Sequence, residues 1–266
     1  MLRIAFVTCR ELPGITADDQ LAAAQISIRG HGVEPAVWDD PAVPWSDFAL
    51  LVLRSCWDYH LHAAEFLAWI AMLARNQVRL WNPPPLVLWN AEKTYLRDLA
   101  GRGVQIVPTV FLAREEAADL RGTLNREEWE RAVVKPAISA SAHETFVVAQ
   151  QEAASSQEEL NRLLRTGGVL IQKFMPEISS AGEWSLMFFN GAFSHAVLKK
   201  PKSGDFRTQS ELGATAKRCE PPAGLVSQAE ATLAAAGTSS LYARVDGIYL
   251  DDRFQLLELE LIEPEL

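Results

Sequence analysis

The chain has 266 residues, 48% of them hydrophobic and 22% charged, the balance of an ordinary globular protein large enough for two or three modules. Its net charge of −9 argues against a general binder of nucleic acid or anionic membrane, while leaving room for a local basic groove. The three scattered cysteines, Cys9, Cys56 and Cys219, make neither a disulfide framework nor a zinc motif, and no apolar run is long enough to span a bilayer, so a cytoplasmic protein is expected.

Strand and helix signals alternate through the first module, expected over residues 1–85. A strand near 2–8 leads to a helix near 18–30, opened by Asp18-Asp19 and closed by Gly30 and Gly32. Val33–Trp38 and the apolar run Asp47–Leu53 read as strands, the second of the kind buried on both faces. Ala63–Arg75 reads as a helix and Val78–Trp81 as a fourth strand. This rhythm predicts a small parallel sheet covered by helices. No G-x-G-x-x-G follows the first strand, so no dinucleotide site is indicated there. Arg54, Trp57, Asp58 and Tyr59 follow the third strand at its carboxyl end, where open parallel sheets place ligands, and are expected to face a substrate.

Asn82-Pro83-Pro84-Pro85 marks a boundary, because consecutive prolines continue neither helix nor inner strand. A second module, 86–170, is expected to hold a helix over Ala91–Gly101, a strand over Val104–Leu112 and a helical turn at Glu127–Ala132 leading into a strand that ends at Lys135. Phe146–Ala149 and Val169–Phe174 read as further strands around a helix, Ser156–Arg165. In the third module, 171–266, Ser185–Phe189 and Ala192–Lys199 flank Asn190-Gly191 as an antiparallel hairpin, and Ser227–Ala236 reads as a helix.

The last two strand signals, Tyr242–Leu250 and Phe254–Glu263, carry carboxylates where a buried strand should not. A three-residue turn, Asp251-Asp252-Arg253, would set Leu250 opposite Phe254, Asp246 opposite Glu258 and Arg244 opposite Glu260. Glu258 and Glu260 would share one face, and Leu257, Leu259 and Leu261 the other. Three converging acids repel one another, which a hard divalent cation such as Mg²⁺ relieves. The plain alternative is the solvated face of an edge hairpin, with Arg244 neutralising one glutamate.

Two lysines are placed to meet an anion. Lys135 precedes a small-residue loop, Pro136 to His143, that includes Ser141; such a loop brings backbone N–H groups close to phosphate oxygens. Lys93 stands near the start of the following module's first helix. Lys199-Lys200-Pro201-Lys202-Ser203-Gly204-Asp205-Phe206-Arg207 puts four cations in nine residues, and Arg207 suits bidentate contact with carboxylate or phosphate. Taken alone, either lysine reads as an ordinary surface cation.

In this order and spacing the segments resemble the ATP-grasp ligases of the glutathione-synthetase branch. Ile171-Gln172-Lys173-Phe174-Met175 resembles the adenine hinge, and Glu183 in Gly182-Glu183-Trp184-Ser185 the acidic position that holds the ribose hydroxyls. Lys199 through Gln209 is similar to the phosphate and substrate loop, with Lys199 where the branch has an arginine, and Arg207 and Gln209 on its spaced arginine and amide. Asp246, Glu258 and Glu260 fall on the magnesium ligands, the third of which is commonly asparagine in that branch. Arg54–Tyr59, Asn82-Pro83-Pro84 with Trp89–Lys93, Phe193–Lys199, Gly204–Arg207, Tyr242–Asp246 and Glu258–Pro264 narrow the resemblance to the subfamily that includes O-ureidoserine cyclo-ligase.

The resemblance implies an ATP-grasp fold mixing α/β and α+β: a small parallel amino-terminal domain and two mixed subdomains clasping ATP. It implies an ADP-forming ligase working through an acylphosphate on a small amino-acid-like substrate, with ATP and two Mg²⁺ ions. Lys93, Lys135, Ser141, His143, Gln172, Lys173, Phe174, Met175 and Glu183 would hold ATP, and Asp246, Glu258 and Glu260 the metal. Lys199, Arg207 and Arg244 would serve catalysis, with Gln209 joining Arg54, Trp57, Asp58 and Tyr59 around the substrate. A homodimer through the first module is compatible with this reading, with no nucleic-acid or membrane partner. Peptide ligation or tailoring, and nucleotide binding without catalysis, are the alternatives.

Overall fold

The computed structural model describes residues 1–140, 142–202, 207–208 and 213–265. The amino-terminal sheet pairs β1 (Arg3–Thr8), β2 (Gly32–Val37), β3 (Leu50–Ser55) and β4 (Leu80–Trp81) in the order β2-β1-β3-β4, all parallel. Leu51, Val52 and Leu53 of β3 are buried, as a strand covered on both faces requires. The strand begins at Leu50 rather than Asp47 because Trp45–Asp47 close a 3₁₀ turn. Helix α1 (Ala17–Ile28) is capped by Thr16, whose Oγ1 accepts the Asp19 N–H at 3.1 Å. Helix α2 (Ala63–Arg75) buries Phe66, Trp69, Ile70 and Leu73.

The proline run opens a helix. Pro84 and Pro85 sit in the first turn of α3 (Pro84–Asn90), where the missing N–H has no intrahelical partner to lose. The boundary expected at 85 therefore falls inside α3, and the helix expected from Ala91 starts at Tyr95, as α4 (Tyr95–Gly101).

The second sheet is antiparallel throughout, in the order β5 (Thr109–Leu112), β8 (Val169–Lys173), β6 (Arg131–Pro136), β7 (Phe146–Ala149). Helices α5 (Leu120–Arg126) and α6 (Gln157–Thr166) press Leu120, Leu124, Leu160 and Leu163 onto it. The helix here lies just before the expected turn at 127–132, and residues 104–108 precede β5 without joining it, Ile106 making only a bridge to Leu256. The division expected at 170 falls within β8.

The third sheet runs β11 (Thr215–Arg218), β10 (Ala192–Lys200), β9 (Glu183–Phe189), β12 (Tyr242–Leu250), β13 (Arg253–Glu260), again antiparallel. A short helix, α7 (Glu177–Ala181), precedes β9, and α8 (Leu225–Ala235) packs with α4 over the inner face. Tyr95, Leu96, Leu99, Leu225 and Leu233 meet Leu186, Phe188, Val245, Leu256 and Leu259 in one core.

The hairpin of β12 and β13 reaches the expected carboxylate register by another route. Asp251 and Asp252 have φ of 49° and 59°, a two-residue turn, so Leu250 pairs with Arg253 and not Phe254. A one-residue bulge then intervenes: Gly247 pairs with Leu256, but Asp246 pairs with Glu258 and Arg244 with Glu260. Leu257 is the extra residue. It turns to the cleft with Glu258 and Glu260, not to the core face expected from strict alternation. A Cβ at Gly247 would overlap the Gln255 carbonyl oxygen and the Phe254 ring.

Buried hydrogen bonds tie the amino-terminal sheet to the end of β13. The Asn82 amide donates to the carbonyls of Tyr242 (3.0 Å) and Leu261 (2.6 Å) and accepts from Leu241 N–H (2.7 Å). The Tyr242 hydroxyl lies 2.7 Å from Leu53 O and 2.8 Å from Ile262 O. Among the described residues no helix is long and apolar enough to cross a membrane.

Gly247→Ala is expected to cost about 1–3 kcal/mol by forcing the bulge apart. Thermal unfolding checks this, and Gly213→Ala, at a glycine of φ 87° away from the hairpin, serves as the comparison for a loop effect.

Candidate active site

The three sheets converge on a cleft of about 850 Å³. β12 and β13 supply its carboxylates: Asp246 is buried, and Glu258 and Glu260 are partly buried beside it. Isolated charges in such a place would be costly, and each has a cation. Lys93 Nζ lies 2.9 Å from Glu258 Oε1 and donates to Ser139 O at 2.5 Å. The Arg244 guanidinium contacts both Asp246 oxygens, at 3.1 and 3.0 Å, as well as Glu260, and donates to Glu265 O at 3.0 Å. Lys199 Nζ stands 3.6 Å from both Glu183 and Asp246.

These pairings set the protonation of the cleft. Burial alone would raise both Asp246 and Glu258, yet Arg244 and Lys199 hold the first below its usual range, and Lys93 with Lys135 the second. Glu260 is pushed up to about 7 by burial and by Asp246 and Glu258, against the pull of Arg244. Burial likewise raises Glu183, with Asp246 adding to it and Lys199 opposing. Lys135, on β6, is lowered to about 8 by desolvation with Lys93 nearby. Its ammonium donates to Gln172 Oε1 at 3.1 Å, and Gln172 Nε2 donates to Thr109 Oγ1 at 3.1 Å.

Among the described residues no three His, Cys, Asp or Glu side chains form a ready-made metal cluster, since Arg244 stands between Asp246 and Glu260. The donor set still fits a hard divalent cation: it is all carboxylate oxygen, gathered on one face of the hairpin.

The remaining expected residues divide. At the hinge, the Lys173 N–H donates to Pro108 O (2.8 Å) and the Phe174 N–H to Arg131 O (3.1 Å). Arg131 covers the Phe174 ring at 3.9 Å. Gln172, Lys173, Phe174 and Met175 line a small recess with Val133 and Leu257, while the Lys173 side chain is exposed. Arg207 lines the main cleft, and Glu183 Oε2 accepts from Thr208 Oγ1 at 2.8 Å. Ser141 and Gln209 lie outside the described residues, as does the segment Gly204-Asp205-Phe206.

His143 sits on the small-residue loop, its ring 5.2 Å from that of His60. Burial and His143 lower His60, whose Nδ1 lies 2.9 Å from Trp57 O. Trp57 and Tyr59 line the cleft; Arg54 and Asp58 do not line it. Arg54 Nε bonds the buried Asp19 at 2.6 Å, and Asp58 accepts from Trp38 Nε1 at 2.8 Å. Both are tied into the amino-terminal module. His195 lies on the cleft wall with Nδ1 3.1 Å from Ser194 Oγ.

Sequence reasoning missed three cleft residues. Tyr95 accepts the Leu259 N–H at 3.0 Å through its hydroxyl, Thr208 holds Glu183, and Glu263 lines the cleft beyond β13. Burial and Glu260 push Glu263 up to about 8. The signal for Glu263 was its place in the Glu-x-Glu-x-x-Glu run; Tyr95 and Thr208 carried none.

Comparison with known proteins agrees with this geometry. Residues 4–82 match the family model of the amino-terminal domain of D-cycloserine synthetase DcsG. The cycloserine biosynthesis protein DcsG of Streptomyces lavendulae is 35% identical over 174 residues, 64% of this chain and 58% of that protein, so the aligned stretch spans less than two thirds of the curated relative. The crystal structure of D-cycloserine synthetase DcsG superposes with a TM-score of 0.85 at 30% identity, covering 98% of this chain and 92% of that one. The D-alanine–D-alanine ligase of Bacillus anthracis, solved with ATP, shares the fold at a TM-score of 0.71 and 17% identity, over 98% of this chain and 87% of its own. With a relative of that identity matched over nearly its full length, and with cations facing carboxylates across one cleft, this chain belongs to the D-cycloserine synthetase family of ATP-grasp ligases.

Proposed function

We propose that the chain is an ADP-forming ligase that activates the carboxylate of a small amino-acid-like substrate as an acylphosphate, with ring closure as in cycloserine formation. One observation carries the reading: Lys93, Lys135, Lys199, Arg207 and Arg244 line the same cleft as Asp246, Glu258 and Glu260. Such a set neutralises a triphosphate and steadies a phosphoryl group in flight.

Lys93 and Lys135 reach the cleft from the start of α4 and the end of β6 and hold the α- and β-phosphates of ATP. The recess at Met175 takes the adenine, with Val133 and Leu257 as its apolar walls. Glu183, steadied by Thr208, accepts from the ribose hydroxyls. Lys199 and Arg207 draw charge from the γ-phosphate as the substrate carboxylate oxygen attacks phosphorus and ADP departs. A nucleophile then attacks the acyl carbon and phosphate leaves. Asp246, Glu258 and Glu260 would hold Mg²⁺, two ions by family resemblance, which neutralises phosphate charge when bound. Arg244, already bound to two of these carboxylates, keeps them in place.

Water must stay out while the acylphosphate lives. The small-residue loop is drawn over the cleft by Lys93, whose N–H donates to Ala137 O at 2.7 Å and whose ammonium binds Ser139 O. His143 adds its contact with His60 on the amino-terminal side.

The first test is ADP release in Mg-ATP across amino acids, O-ureidoserine and simple dipeptides. Stimulation by O-ureidoserine supports the ring-closing reading, and stimulation by dipeptides alone replaces it with peptide ligation. Lys135→Ala should weaken ATP binding by at least about tenfold, because it deletes a charged partner in a partly closed site; unchanged affinity by calorimetry refutes the assignment.

The lowered Lys135 sets a pH signature. Below about 8 its ammonium is already charged and ATP affinity is full. Above that value binding must first take up a proton, so affinity falls as pH rises. Calorimetry from pH 7 to 9.5 should show the decline in the native chain and a flatter profile in Lys135→Ala. Glu258→Gln should lower ADP release by about 100-fold or more while the protein still unfolds cooperatively; normal turnover in Mg²⁺ would remove Glu258 from the metal site.

A further inference from the structure

Four carboxylates of the cleft are each matched to a cation. Asp246 and Glu260 have Arg244, Glu258 has Lys93, and Glu183 has Lys199. Arg54, the next cation on the amino-terminal side, is committed to Asp19. The Glu263 side chain lines the same cleft with no hydrogen bond or ion pair among the described residues. Its oxygens are not among the buried unpartnered atoms, so they open onto the cleft.

The backbone at Glu263 is held firmly. Trp57 Nε1 donates to Glu263 O at 3.2 Å, and the preceding carbonyl, Ile262 O, meets the Tyr242 hydroxyl at 2.8 Å. The ring of Trp57, 40% exposed, and that of buried Tyr59 line the cleft with it. Trp57, Tyr59 and Glu263 line the same cleft, and this carboxyl, kept protonated near neutrality by burial and Glu260, ionises against an organic ammonium, which gains an ion pair and a π face together. A divalent metal is a poor fit, because it demands several oxygen ligands at once. Asp18 and Glu265 line the cleft as well, while Lys93 and Arg244, each already paired with another carboxylate, act on Glu263 only at a distance.

Order along the chain places this subsite. Leu257 borders the recess proposed for adenine, Glu258 and Glu260 face the proposed phosphate site, and Glu263 follows past the end of β13, where its carbonyl meets Trp57 of the amino-terminal module. On the proposed reading that is the amino-terminal side of the cleft, away from the adenine. We propose that Glu263 binds the ammonium group of the amino-acid-like substrate, against Trp57 and Tyr59, and so selects amino acids over acids that lack the amine. The inference rests on the ligase reading for the direction of the substrate, but its test does not rest on turnover.

The test compares the native chain with Glu263→Gln, each loaded with Mg-ADP, in calorimetric titrations with O-ureidoserine and with its des-amino analogue. The native chain should bind the amino compound roughly 30-fold or more tightly than the des-amino one. Glu263→Gln should bind both alike, with Mg-ADP affinity and melting behaviour preserved. Equal binding of the two compounds by the native chain overturns the proposal, as does a preference that survives in Glu263→Gln or failure of the native chain to bind either. Loss of folding in Glu263→Gln would be met with Glu263→Asp, which keeps the charge and should retain the preference; an indifferent Glu263→Asp also overturns it. Amine-selective binding without ADP release in Mg-ATP would sustain this subsite and count against the ligase reading alone.

Discussion

Carboxylates withdrawn from water must find positive charge, and the architecture of the cleft follows from that constraint. Asp246, Glu258 and Glu260 stand on one face of a hairpin whose other face is packed into the core by Phe254, Leu256 and Leu259. They cannot swing into solvent without breaking the sheet, so charge must be brought to them. Three different elements do so: β12 itself through Arg244, β10 through Lys199, and the start of the α4 region through Lys93. The docking of the segment before α4 against the third sheet is thus as much an electrostatic arrangement as a packing one.

The bulge in β13 lets one strand serve both purposes. With strict alternation from the turn, a two-residue loop would set Leu257 opposite Asp246 and turn Glu258 and Glu260 toward the core. The extra residue shifts the count by one. It leaves Leu257 beside the recess at Met175 and sets Glu258 opposite Asp246. Gly247 makes room for the distortion, because Gln255 and Phe254 crowd the place where a side chain would stand.

Much of this was readable from residue order, and the failures have local causes. The period-two pattern of Glu258 and Glu260 located their face, and the apolar run of β3 marked a strand covered on both sides. The register of the acids was also legible, although the turn was counted one residue too long and the bulge cancelled the error. Pro84 looked like a break because proline ends helices, whereas at a first helical turn it opens one. Arg54 and Asp58 looked like ligands because they follow a parallel strand. Their partners, Asp19 and Trp38, come from elsewhere in the module, and nothing local to 54–58 announces them. Glu263 was marked only by its place in the Glu-x-Glu-x-x-Glu run, and its lack of an ion pair among the described residues shows only in the assembled cleft.

The same ledger suggests how the nucleotide and the loop are coupled. Lys93 holds two things at once, the carboxylate of Glu258 and the carbonyl of Ser139 on the small-residue loop. On the proposed reading, Lys93 would turn its ammonium to phosphate oxygens, and Glu258 would be freed to hold the metal. Each exchange replaces one charge contact with another, so the cleft need never expose an unbalanced group. Lys135 differs, because its uncharged partner Gln172 leaves it short of negative charge. It gains most when phosphate arrives, which makes it the lysine whose contribution to nucleotide binding depends most on pH.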